Sequence, residues 1–164
     1  MHKVIVNTTP IIALCCIDKL HLLKEMYGSV LIPEAVYREI SEKPNSLAKL
    51  ELDKSLDWVN VRKIQNETAK MSFKAQLHDG EVEVMILAKE ESATLLILDD
   101  KNAKKHAKFL KFNVTGTLGV LLKAKKDGRI NAIKPMLNKL IANGIYIDEI
   151  TRNYCLKEAG EYPS

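Results

Sequence analysis

Thr94-Leu95-Leu96-Ile97-Leu98-Asp99-Asp100 is the stretch whose reading decides the fold. From Leu95 to Leu98 no polar residue alternates with the apolar ones, so a strand here has no face to give to water. That pattern belongs to an inner strand of a parallel sheet, covered by helices on both sides. The two aspartates then stand at the strand's carboxyl end, where open α/β sheets bind their ligands.

Working outward, Gly80 to Lys89 carries Val82, Met85, Ile86 and Ala88 at helical spacing. Lys101 to Lys111 predicts a basic helix, Phe112-Asn113-Val114 a brief strand, and Thr115-Gly116-Thr117 a turn into a helix over Leu118–Lys126 that Asp127-Gly128 stops. At the other end, Lys3 to Val6 is a β-branched run followed by Asn7-Thr8-Thr9-Pro10, a polar cap before a proline suited to a first helical turn. Ile11, Ile12, Leu14, Cys15 and Ile17 predict a well-buried helix, Asp18 a cap for the next, and Gly28 its stop. Ser29 to Ile32 reads as a strand and Pro33 to Ile40 as a helix. A weak helix up to Leu56 and a strand over Trp58–Val61 follow, and residues 64–77 give no clear pattern. Ile133–Ala142 and Glu149–Glu158 predict the last helices, with Ile145–Ile147 extended between them. Strands alternating with helices imply a three-layer α/β/α fold with a central, mainly parallel sheet. Asn7, Asp99, Asp100 and Thr115, each just after a strand, are the first candidates for chemistry.

The 164 residues, 46% of them hydrophobic, predict one domain with a substantial core over 1–164. The start, Met1 to Val6, lacks the apolar length of a signal peptide, and no stretch approaches the roughly 20 apolar residues of a membrane span, so the expectation is a soluble cytoplasmic protein. Cys15, Cys16 and Cys155 are odd in number, two are adjacent, and no CxxC pair occurs; buried, reduced thiols are expected rather than disulfides or a zinc site. The charge of +4, from 25 basic and 21 acidic residues, says little, but its placement says more. Lys101, Lys104, Lys105, His106, Lys108 and Lys111 crowd one segment and Lys123, Lys125, Lys126 and Arg129 another.

Asn7, Glu39, Glu81, Asp99 and Asp100 are polar residues beside apolar elements. Carboxylates gathered together repel unless a cation lies between them, and oxygen donors of this kind suit Mg²⁺ or Mn²⁺. Each also has a plain structural reading: Glu81 favouring a helix N-terminus, Asp100 capping the lysine helix, Glu39 solvated on a helix face.

Five blocks, in order, resemble the PIN-domain nucleases. They are Val4-Ile5-Val6-Asn7-Thr8-Thr9-Pro10, Ile32-Pro33-Glu34-Ala35-Val36-Tyr37-Arg38-Glu39-Ile40, Gly80-Glu81-Val82-Glu83-Val84-Met85, Leu98-Asp99-Asp100-Lys101-Asn102-Ala103 and Val114-Thr115-Gly116-Thr117-Leu118-Gly119. Each block alone is a generic strand or helix; the order is what is specific. The resemblance is strongest over 3–130, leaving 131–164 as a C-terminal helical extension, and is nearest the prokaryotic branch related to toxin ribonucleases of toxin–antitoxin pairs. It implies a PIN-like fold, hydrolysis of RNA with Mg²⁺ or Mn²⁺, a small antitoxin protein as partner and a homodimer. It implies Asn7, Glu39, Glu81 and either Asp99 or Asp100 as metal ligands, with the four acids as catalytic candidates. Asn7 stands where most active members carry aspartate, an amide that brings no charge to the site, although this branch often carries asparagine there. Lys101, Lys104, Lys105 and Lys108 would bind RNA phosphates, with Lys123 to Arg129 as a second basic face, and Thr8 and Thr117 would position phosphate or water. The alternative is a non-catalytic PIN-like module that binds RNA or protein. A phosphoryl-accepting receiver would want two acids after the first strand, where Asn7-Thr8 stands, and a dinucleotide-binding domain would want GxGxxG there.

Overall fold

The computed structural model describes residues 3–73 and 77–162. Among these, five strands form one sheet: β1 (Val4–Val6), β2 (Val30–Pro33), β3 (Val59–Arg62), β4 (Leu95–Ile97) and β5 (Val114–Thr115). All pairings are parallel, in the order β3-β2-β1-β4-β5. The helices are α1 (Thr8–Cys16), α2 (His21–Tyr27), α3 (Glu34–Ser41), α4 (Leu47–Lys54), α5 (Asp79–Glu91), α6 (Lys101–Phe109), α7 (Thr117–Lys126), α8 (Lys134–Ala142) and α9 (Glu149–Glu158), with a 3₁₀ helix over Glu67–Phe73. This is the α/β architecture that the uninterrupted apolar run predicts: β1 and β2 are buried along their whole length, and Leu96, Ile97 and Leu98 are fully buried.

The sheet order places the site. The chain runs from β1 outward through β2 to β3, then returns to the other side of β1 for β4 and β5, so direction reverses between β1 and β4. In open α/β sheets of this kind, ligands bind at the carboxyl ends of the two strands on either side of that reversal. Val6 pairs with Ile97, and the Asn7 amide donates to the Ile97 carbonyl at 3.0 Å, so Asn7 lies across from the start of the Leu98-Asp99-Asp100 segment.

Local chemistry departs from the sequence reading at a few points. Asp18 does not cap α2, which starts at His21; with φ +55° it closes α1 instead, its N–H donating to the Cys15 carbonyl at 3.0 Å, and aspartate tolerates that left-handed conformation better than most residues. Ile12 projects from α1 at 45% exposure, and Ile145–Ile147 forms no strand. The 64–77 stretch, of which 74–76 lie outside the described residues, holds the 3₁₀ helix, and Glu90 on α5 accepts from the amides of Gln65 and Asn66 that precede it. Met1 and His2 also lie outside. Gly28 stops α2 at φ +81° as expected. Cys15 and Cys155 are buried, Cys16 half-buried, and all three are free thiols; burial, helped by the nearby Glu51, pushes Cys15 up to about 12. Among the described residues no helix is long and apolar enough to cross a membrane.

Candidate functional site

Asn7 follows β1 and is only 6% exposed. Facing it is Gly80, in the first turn of α5: a Cβ there would lie 3.6 Å from Asn7 Oδ1 and 3.2 Å from Glu39 Oε2. The missing side chain spares the Glu39 carboxylate a tight contact, while Asn7 Oδ1 lies at ordinary contact distance from the same point on α5. Glu39 is exposed, and its position is set by Thr8, whose hydroxyl donates to Oε2 at 2.5 Å.

Glu81, one residue beyond Gly80, is 7% exposed and accepts from the His78 amide at 3.0 Å, closing the N-terminus of α5. Burial raises its pKa, and the charges of Asp100 and Glu39 raise it further, against the lowering pull of the His78 amide. The charges of Asp100, at the start of α6, and of Glu39, on α3, therefore both reach Glu81. The sequence reading of Glu81 as a residue favoured at a helix start holds.

The Asp99-Asp100 pair divides. Both carboxylate oxygens of Asp99 are engaged by the start of α7: Oδ1 accepts from the Thr117 amide at 2.7 Å and Oδ2 from the Thr117 hydroxyl at 2.6 Å. Gly116 permits this closeness, since a Cβ there would lie 2.7 Å from Asp99 Oδ1 and 3.1 Å from the Leu98 carbonyl. Asp100 is exposed, and its Oδ2 caps α6 by accepting from the Ala103 amide at 2.9 Å. Both aspartates are thus helix caps, and Asp100 is the one whose charge reaches Glu81. Thr8 and Thr117 each hold a carboxylate.

On α6, Lys101, Lys104, Lys105 and Lys108 share one face at i, i+3, i+4 and i+7, opposite the buried Ala103 and Ala107. The second basic cluster is more tied down. Lys123 pairs with Asp127 at 3.1 Å, Lys125 with Glu161 at 2.8 Å, and Arg129 with Glu25 at 3.7 Å.

Sequence reasoning missed Glu83. At 3% exposure it accepts from the Ala35 amide at the start of α3 (3.1 Å) and pairs with Lys70 of the 3₁₀ helix (2.7 Å), so it fastens three elements together. The available signal was a second acid inside a helix apolar on every side, since every residue from Gly80 to Ala88 is buried.

Oxygen-only donors from Asn7, Glu39, Glu81 and Asp100, with Glu81 raised by burial and by its acidic neighbours, are the chemistry a hard dication relieves. As the side chains stand, no three His, Cys, Asp or Glu among the described residues are grouped closely enough to hold an ion. Each of the three acids instead holds a hydrogen bond from Thr8, His78 or Ala103.

A family model described as PIN domain (DUF3368) matches residues 3–161. The chain belongs to the PIN-domain family. The match covers the sheet, the crevice and also α8 and the residues of α9, reaching past the part up to residue 130 in which the sequence blocks are plainest. No curated protein matches this PIN domain.

Proposed function

We propose that this PIN domain is a metal-dependent endoribonuclease, acting with its whole chain as one unit, in the cytoplasm, as the toxin-like member of a toxin–antitoxin pair. The single observation that carries the catalytic part is the buried Glu81, its pKa raised by burial and by the charges of Asp100 and Glu39, at the β1–β4 switch point beside a row of lysines. Asn7, Glu39, Glu81 and Asp100 would hold Mg²⁺ or Mn²⁺. When bound, such an ion polarises phosphoryl oxygens, lowers the pKa of water and offsets charge on the leaving 3′ oxygen.

The chain's own residues supply the rest. Glu81, whose pKa is raised by burial and then by the charges of Asp100 and Glu39, is the acid whose ionised form a bound dication would favour most. Thr8 fixes the carboxylate of Glu39, and Thr117 keeps Asp99 on the α7 terminus, so that Asp99 shapes the crevice without joining the ligands. The lysine face of α6 holds the RNA backbone by charge, giving affinity with little base preference. A small antitoxin protein and a homodimeric resting state complete the proposal by family resemblance.

The rival reading is a non-catalytic PIN-like module, favoured by the uncharged Asn7 and by the open spacing of the acids. Incubating purified protein with labelled single-stranded RNA and manganese decides between them. The nuclease reading expects internal cleavage that EDTA stops and that Glu81→Gln and Glu39→Gln each reduce at least tenfold with the fold intact. Binding without cleavage, or equal cleavage by parent and both variants, favours the rival.

A further inference from the structure

The first turn of α1 separates two clefts of different chemistry. On the Thr8 and Glu39 side lies an apolar cleft of about 510 Å³ walled by Ile12, Ile40 and Leu47. On the Thr9 and Asp99 side lies one of about 480 Å³, bounded by the start of α6, the start of α7 and the chain from Ile145 to Thr151. The second holds cations and an aromatic ring. Lys101 and Lys104 line it, and so does Tyr146, which is 86% exposed.

Two acids also line this cleft, Asp99 and Asp148, and both are committed in the same way. Each accepts from the backbone N–H and from the hydroxyl of one threonine at a helix start: Asp99 from Thr117 on α7, and Asp148 from Thr151 on α9 at 2.7 and 3.0 Å. Their charge is set against the positive ends of two helices, and the charge of Lys101 also reaches Asp148, adding to the hydrogen bonds from Thr151 that lower its pKa. Among the described residues neither Lys101 nor Lys104 enters an ion pair. Lys104 Nζ lies 2.9 Å from where a Gly116 Cβ would sit, so its ammonium reaches into the cleft towards the end of β4.

Cations outside any close ion pair, beside an exposed ring, are the two elements by which proteins hold single-stranded nucleic acid: charge on the backbone, and a flat surface for a base. We propose that this cleft is the subsite for an unpaired nucleotide next to the scissile position, with its base stacked on Tyr146 and its phosphate held by Lys101 and Lys104. The substrate class is then single-stranded RNA, because a base paired in an A-form helix has no free face to offer the ring. The apolar cleft on the Glu39 side has no comparable pair of cations, so the strand runs along the α6 and α9 side. This rests on the ribonuclease reading for its substrate, but its test does not depend on cleavage.

The test is fluorescence anisotropy on the full chain, in EDTA, with a labelled single-stranded RNA and a blunt duplex of the same length. Tyr146→Ala is expected to weaken single-strand binding at least about fivefold while leaving duplex binding unchanged. Tyr146→Trp should restore or tighten it, and Lys101→Gln with Lys104→Gln should flatten its salt dependence. Tyr146 is exposed outside any helix or strand, so these substitutions leave the core alone. Single-strand affinity equal to the parent's in Tyr146→Ala, or an equal loss for single strand and duplex, overturns the subsite. The first outcome would leave Tyr146, Ile150 and Tyr154, all exposed, as a row for contact with protein. A protein that binds as described but never cuts RNA with manganese defeats the ribonuclease reading and leaves the cleft as a site for an unpaired nucleotide.

Discussion

Replacing Asp99 by alanine should cost stability and leave metal binding in place, whereas replacing Asp100 by asparagine should do the reverse. Asp99→Ala removes the acceptor of the Thr117 amide at 2.7 Å and of the Thr117 hydroxyl at 2.6 Å. Thr117 is 4% exposed, so water cannot take over either bond freely. Loss of a helix cap costs about 0.5–2 kcal/mol. A buried hydroxyl left without an acceptor costs about 1–3 kcal/mol. The two overlap, because one side chain serves both, and a total of roughly 2–4 kcal/mol is expected. For a chain of this length that lowers Tm by about 5–15 °C. Asparagine at position 100 can still accept from the Ala103 amide, so Asp100→Asn should melt within about 2 °C of the parent. Thermal melts followed by circular dichroism, in EDTA and with manganese, measure both. Asp99→Ala should melt low in EDTA and still gain Tm with manganese, while Asp100→Asn should melt normally and gain little. If Asp99→Ala melts like the parent, or if it is the variant that loses the manganese response, the division of labour between the two aspartates is wrong.

Three further outcomes are expected. Glu81 has a raised pKa in the folded protein, so the folded state holds its proton to higher pH than the unfolded chain does. Metal-free stability should therefore fall as pH rises from the ordinary carboxylate value through Glu81's raised one, and melts of Glu81→Gln over pH 4–8 should lack that component; an unchanged profile would contradict the electrostatic reading. Asn7→Asp should lower metal-free Tm and raise manganese affinity, by adding a charge beside Glu39 and Glu81. Calorimetric titration finding neither change would remove Asn7 from the site. Changing Lys104, Lys105 and Lys108 together to glutamine should reduce the salt slope of single-stranded RNA binding by about 2, and an unaltered slope would reduce that helix face to a solvated surface.

The parallel sheet was legible because burial on both faces leaves an uninterrupted apolar run, and Leu95 to Leu98 is one. The positions of Asn7 and Asp99-Asp100 followed from strand ends, which the same runs mark. The order of strands was not legible, since it depends on crossovers between segments far apart in the chain, and it is the order that places Asn7 beside β4. Nor could the sequence separate Asp99 from Asp100. That depends on Thr117, eighteen residues further on, and on Gly116, whose missing side chain admits the Asp99 carboxylate. Gly80 is a milder case, a glycine in a helix with the Glu39 carboxylate of α3 pressed close to it. Glu83 was hidden because its partners, Ala35 and Lys70, sit in segments with no sequence signal linking them to α5. Asp18 misled because a single residue between two helices can close the first as readily as cap the second.

The claim that matters most is that Asp100, Glu81 and Glu39 close around one dication while Asp99 stays with Thr117. A crystal soaked in manganese, with the ion located by its anomalous signal, tests it directly. The account predicts one ion with inner-sphere bonds of about 2.0–2.2 Å to oxygens of Glu81, Asp100 and Glu39, with Asn7 completing the protein ligands and Asp99 still on Thr117. An ion bound through Asp99, or a manganese-soaked crystal with no ion in the crevice, would contradict it.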